Sequence, residues 1–192
     1  MFQRRFRESL LLVAMVVFAF LAVGCSPVTP LHVTVALDPS LVSGPDKLVG
    51  QIQVDLVVIN PNEHQRWRDY SMTKYWEPND PMRKSVPVFT MTLDADKNPT
   101  QTLSATDAIW GKWLAGANEK DPPKLYVLAG IRRAWNAEKD DKSGDQDPRR
   151  QMLPLGAARW DKSLGSPPNV KLTVKNTGIV TDTQPKRDKP GT

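Results

Sequence analysis

The chain has 192 residues with 26 basic and 21 acidic side chains, a formal net charge of +5 that is too mild and too mixed to argue for a nucleic-acid partner. A single cysteine excludes an intramolecular disulfide, and two histidines leave a poor supply of ligands for a metal site. The length suits one domain with a real core and is too short for two once an export signal is removed.

That signal is the first element. Arg4, Arg5 and Arg7 are basic, and residues 10–23 are uninterrupted apolar or small residues leading into Gly24 and Cys25. The apolar run is shorter than the roughly 20 residues a helix needs to cross a bilayer, so a cleaved signal is expected in preference to a transmembrane span. Leu21-Ala22-Val23-Gly24-Cys25 resembles a bacterial lipobox, with Ala22 where leucine is usual. The resemblance implies a cut after residue 24 and diacylglycerol on the Cys25 thiol. Ser26, in place of an aspartate, resembles the outer-membrane sorting pattern. An ordinary cleaved signal that happens to end near a cysteine is the alternative. Cleavage removes three arginines and one glutamate, so the formal charge falls from +5 to +3. Residues 25–30 hold two prolines and read as a short extended tether.

A single β-sandwich domain is expected over residues 31–182. Leu31, Val33, Val35 and Leu37 recur at period two, the pattern of a half-buried strand. Residues 38–50 are rich in Pro, Asp, Ser and Gly and read as a loop. A second strand follows over 51–59, with Ile52, Val54, Leu56 and Val58 inward and Gln51, Gln53 and Asp55 outward. Residues 63–76 lack alternation and read as a short irregular helix, stopped by Pro78 and Pro81. A third strand is expected over 86–93.

Residues 94–102 are polar. Ser104 and Asp107 have the spacing of a capping box, predicting a helix over 105–115 with Ile109, Trp110, Trp113 and Leu114 on one face. Residues 124–134 read as a buried strand, 138–150 as a charged loop that buries nothing, and 152–160 as a short strand or turn. Val170, Leu172 and Val174 mark a strand over 169–175, extended past a bend by 178–180. Residues 183–192 form a polar tail. The tally of five or more strands with one or two short helices suits a mainly β sandwich.

No phosphate-binding loop, dinucleotide fingerprint or nucleophile elbow occurs, and the carboxylates lie mostly in turns. No cofactor, no metal and no catalytic residue is therefore expected, and the protein reads as a non-enzyme. His32 is expected to be a solvated strand residue and His64 a partial cap or exposed side chain. Among the six tryptophans, Trp67 and Trp76, with Tyr70 and Tyr75, are candidates for an exposed aromatic platform that stacks on a small ligand or glycan.

The order of features is similar to that of the TssJ lipoprotein family of type VI secretion systems. The matching pieces are the lipobox, the strand 31–37, the loop 38–50, the strand 51–59, the aromatic segment 67–76 and the stretch 126–135, which ends in arginine and tryptophan. Arg159-Trp160 echoes a basic-aromatic pair nearby. The chain lacks the Tyr-Gln-Leu run that often closes the family's second strand, and its 138–150 segment is long. The resemblance implies a transthyretin-like sandwich anchored to the outer membrane and facing the periplasm. Its implied partner is the periplasmic domain of an inner-membrane secretion component, contacted through the loop between the first two strands. That loop maps to Pro39, Ser40, Leu41, Val42, Ser43 and Lys47. Leu41 and Val42 are either exposed apolar contacts or folded back onto the core.

Overall fold

A computed structural model describes residues 28–44, 47–118, 120–131, 146–156, 160 and 167–185. The export signal, Cys25 and most of the 138–150 segment lie outside these residues. Two four-stranded sheets pack face to face, with strand orders β4-β1-β7-β8 and β3-β2-β5-β6. The first contains β1 (His32–Leu37), β4 (Thr100–Leu103), β7 (Asn169–Lys175) and β8 (Gly178–Thr181); the second contains β2 (Gln51–Ile59), β3 (Phe89–Asp94), β5 (Lys124–Ala129) and β6 (Arg150–Pro154). Every pairing is antiparallel except that of β1 with β7. The fold is the expected β-sandwich.

Alternation sets the inner faces. Val33, Val35 and Leu37 of β1 and Val170, Leu172 and Val174 of β7 meet Val54, Leu56, Met91, Leu93, Leu125 and Val127 from the other sheet in one core. Both sheets gain from burying one face of each strand, the usual driving force of such a layer pair.

The second sheet is covered on its outer face as well. From Val54 to Ile59 alternation gives way to continuous burial, and β5 does the same from Leu125 to Ala129. Val57, Ile59, Tyr126 and Leu128 turn outward into a second cluster with Trp67, Met72, Tyr75 and Met82. The last four residues come from the connection between β2 and β3. The single irregular helix expected there is instead a 3-10 turn followed by α2 (His64–Asp69), α3 (Met72–Tyr75) and α4 (Pro81–Lys84). Ser71 and Asp80 divide it, because each caps a new helix start by accepting a backbone N–H, from Lys74 and Arg83 respectively.

Other expectations shift for local reasons. Residues 38–50, read as loop, contain the short helix α1 (Pro39–Ser43). The polar stretch 94–102 contains most of β4, in which only Leu103 is buried, so the pattern gave little strand signal. The helix α5 spans only Ile109–Trp113. Ser104 Oγ accepts from Thr106 N–H and Asp107 Oδ1 from Ile109 N–H, so these side chains form local turns in place of a capping box. Trp110 and Trp113 of α5 stack edge to face at 5.1 Å and plug one end of the core.

The two ends of the sandwich differ. Val28 bridges Gly156, and Thr29 N–H donates to Leu155 C=O, so the chain enters beside the start of β1. The 38–50 segment and the turn after β3 lie at the opposite end, about 20 Å away along the six residues of β1.

Candidate functional site

The 38–50 end is built outward from the strand. Asp38 follows β1 and accepts from Ser40 N–H at 3.0 Å and Ser40 Oγ at 2.7 Å, capping α1. The Ser40 hydroxyl, then its amide, hold the Asp38 carboxyl below the usual range. Pro39 occupies the first turn, where its missing N–H costs nothing. Gly44 N–H donates to Ser40 C=O, and a Cβ at Gly44 would lie 2.7 Å from that oxygen, so the turn requires glycine. Leu48 N–H then bonds Leu41 C=O and returns the chain toward β2.

These contacts resolve the two alternatives left open for Leu41 and Val42. Leu41 is 4% exposed, and Val42 is half-buried against the same core. Leu41 is therefore not an exposed contact: one turn of helix rotates it under the loop. Pro39, Ser43 and Lys47 are exposed and Ser40 is half-buried. The apolar side chain the end does present is Val49, 80% exposed, beside Gly50 at φ 96°. Lys47 Nζ meets Asp96 Oδ1 at 2.6 Å across the neighbouring turn, an exposed pair of small energetic weight that ties the two loops together.

The aromatic platform does not form. Trp67 and Tyr75 are 2% and 1% exposed, so their faces are unavailable for stacking. Tyr70 and Trp76 are half-buried against the same cluster. The four residues are brought together as a core layer, because β2 and β5 offer an apolar outer face that must be covered.

The charged centre of that layer is Asp55, expected on an outward face yet fully buried. Its Oδ2 accepts from Tyr75 OH at 2.9 Å and Arg83 Nε at 2.7 Å; its Oδ1 accepts from Thr90 Oγ1 at 2.7 Å and Arg83 Nη2 at 3.3 Å. Four donors fill the four lone-pair positions of a carboxylate, so none is left for abstracting a substrate proton. The Arg83 guanidinium also lies over the Trp76 ring at 4.9 Å. Burial, reinforced by Asp55, pushes the Tyr75 phenol far above its ordinary range. Asp80, the cap of α4, accepts from Tyr70 OH at 2.6 Å and thereby raises that phenol to about 12.

A second clamp overturns the expectation that residues 138–150 bury nothing. Asp147 and Arg149 form a buried pair at 2.8 Å, and Arg150 donates to the carbonyls of Arg68 and Tyr70 at the end of α2. These groups staple the helical layer to the second sheet.

The histidines stand apart, His32 in β1 of the first sheet and His64 in α2 over the second. His32 is half-buried, and its Nδ1 accepts from Ala105 N–H at 3.2 Å. His64 Nε2 is 2.8 Å from Ile59 C=O, and burial lowers its pKa. Among the described residues no three His, Cys, Asp or Glu side chains converge on a metal position, and no helix is long and apolar enough to cross a membrane.

Neither a family model nor a curated protein sequence matches this chain. The fold is similar to solved structures at low identity. The lipoprotein TssJ1 of the type VI secretion system from Pseudomonas aeruginosa is 12% identical, with a TM-score of 0.46 over 84% of this chain and 100% of its own. Lip of Serratia marcescens, a membrane-bound component of the type VI secretion system, is 10% identical, with a TM-score of 0.44 over 83% and 96%. A structure described as the TssM C-terminal domain from EAEC is 9% identical, with a TM-score of 0.43 over 79% and 95%.

Proposed function

We propose that this protein is a lipid-anchored structural component of a bacterial secretion complex. Diacylglycerol on Cys25 holds it to the outer membrane on the periplasmic side, and the 38–50 end docks the periplasmic domain of an inner-membrane component. The partner class comes from the similarity of the chain's feature order to TssJ lipoproteins.

The observation that carries the reading is the polarity of β1. The anchored segment joins the strand at its start, and the 38–50 segment leaves from its end. A lipid on Cys25 would thus turn Pro39, Ser43, Lys47 and Val49 away from the membrane, toward a partner across the periplasm. Val49 is the natural centre of such a contact, since it is the large apolar side chain that this end exposes and apolar groups form the core of an interface.

The test is titration of the mature chain with the periplasmic domain of the inner-membrane secretion component encoded beside it. Binding that is lost with Val49→Asp supports docking through this end. Absence of binding, or binding indifferent to Val49 and Lys47, sinks the reading. Mass spectrometry of the mature amino terminus tests the anchor separately: an unmodified Cys25, or a cut elsewhere, contradicts it.

A further inference from the structure

The anchored end of the sandwich carries a geometric consequence of its own, which rests on lipidation of Cys25. Val28 is fixed to the body of the domain by its bridge to Gly156, and Thr29 N–H by its bond to Leu155 C=O. Only three peptide steps separate Cys25 from Val28, a reach of at most about 11 Å even when fully extended. A lipid-modified cysteine sits at the depth of the lipid glycerol, so a headgroup layer consumes much of that reach. The domain therefore cannot stand off from the bilayer.

The surface that faces the bilayer is identifiable. β1 starts at His32, whose Nδ1 accepts from Ala105 N–H, which brings the β4–α5 connection to the point of chain entry. α5 turns Trp110 and Trp113 inward, and their indole N–H groups are consumed by the carbonyls of Ser104 and Pro87. Its outward face is Gly111, with open space around it, and the exposed Lys112. Small side chains permit close approach, and a lysine there can pair with lipid phosphate.

We infer that this end of the sandwich, centred on the outward face of α5, lies against the phospholipid headgroup surface, so that the lipid fixes the domain's orientation as well as its location. The 38–50 end then stands about one strand length, roughly 20 Å, farther from the bilayer. A docking partner would meet it at a set height.

Spin labels at Lys112→Cys or Val49→Cys on the lipidated chain test this, since the acylated Cys25 thiol does not take label. The protein is held in vesicles of phosphatidylethanolamine and phosphatidylglycerol that include a nickel-chelating headgroup lipid. The expected result is severalfold stronger paramagnetic relaxation at position 112 than at 49. Equal relaxation at both, or stronger relaxation at 49, overturns the proposal while leaving the anchor intact. Failure of the protein to float with vesicles removes the anchor and the proposal together. Inserting about ten Gly and Ser residues after Ser26 should abolish the difference, because such a linker is a flexible coil; a difference that survives insertion overturns the short tether as its cause and the proposal with it.

Discussion

Asp55 and Arg83, 28 residues apart in the chain, meet at 2.7 Å between the second sheet and the helical layer that covers it. Asp55 is fully buried while the Arg83 side chain is 29% exposed. The pair is thus asymmetric: the arginine can recover water if its partner is lost, and the aspartate cannot.

Arg83→Ala is accordingly expected to destabilise the fold by about 3–5 kcal/mol, the range for stranding one partner of a buried pair. The double variant Asp55→Ala, Arg83→Ala should cost less than Arg83→Ala alone, because no charge is then left behind. Equilibrium denaturation in urea of the two variants and the parent measures both values, and strict additivity would contradict the coupling.

Leu41 and Val49 lie eight residues apart in the same connection and should behave oppositely. Leu41→Ala opens a cavity at a 4% exposed position and is expected to cost about 2–5 kcal/mol. Val49→Asp should leave stability within about 0.5 kcal/mol, as surface changes do. Thermal unfolding of both variants checks the contrast, and a large loss for Val49→Asp would mean that the loop packs differently.

Gly178 closes the sandwich on the β8 side. Ile179 N–H donates to Pro148 C=O at 2.7 Å, and a Cβ on Gly178, whose φ is 154°, would fall 2.4 Å from that same oxygen. Gly178→Ala should cost about 1–3 kcal/mol by forcing β8 away from residue 148. Hydrogen exchange at Ile179 should rise in the variant; unchanged protection there would refute the close approach.

His64 supplies a pH dependence. Burial lowers its pKa below the ordinary value of about 6.5, so the unfolded chain binds the proton more readily than the folded one. The sign follows: its contribution is fully present above about pH 6.5 and is lost as pH falls toward the lowered folded value. Between pH 7.5 and 5.5 the parent should lose more melting temperature than His64→Gln, which retains a donor for Ile59 C=O. Equal losses would count against the burial of this ring.

The strands with one buried face were legible because a period of two is written directly into Val33-Val35-Leu37 and Val170-Leu172-Val174. β4 was not, since Thr100, Gln101 and Thr102 place nothing in the core and Leu103 alone cannot define a period. The helical layer was harder still. Nothing local in 60–88 announces a second core, and the cue lay in its partners: Val57, Ile59, Tyr126 and Leu128 are apolar on the face where alternation called for polar residues. Reading that excess as a covered face would have moved Trp67 and Tyr75 from an exposed platform into the interior, and Asp55 from solvent to a buried pair.

Periodicity, turn chemistry and residue supply determined the sandwich and argued against metal and cofactor sites, because each depends on spacing along one chain segment. Only the tertiary structure decided which end of β1 takes the chain in and which presents the 38–50 segment, that Leu41 turns inward while Val49 stays exposed, and that Asp55 closes on an arginine 28 residues away. Those are relations between segments, set by which apolar faces must be covered, and a linear pattern does not record its partner.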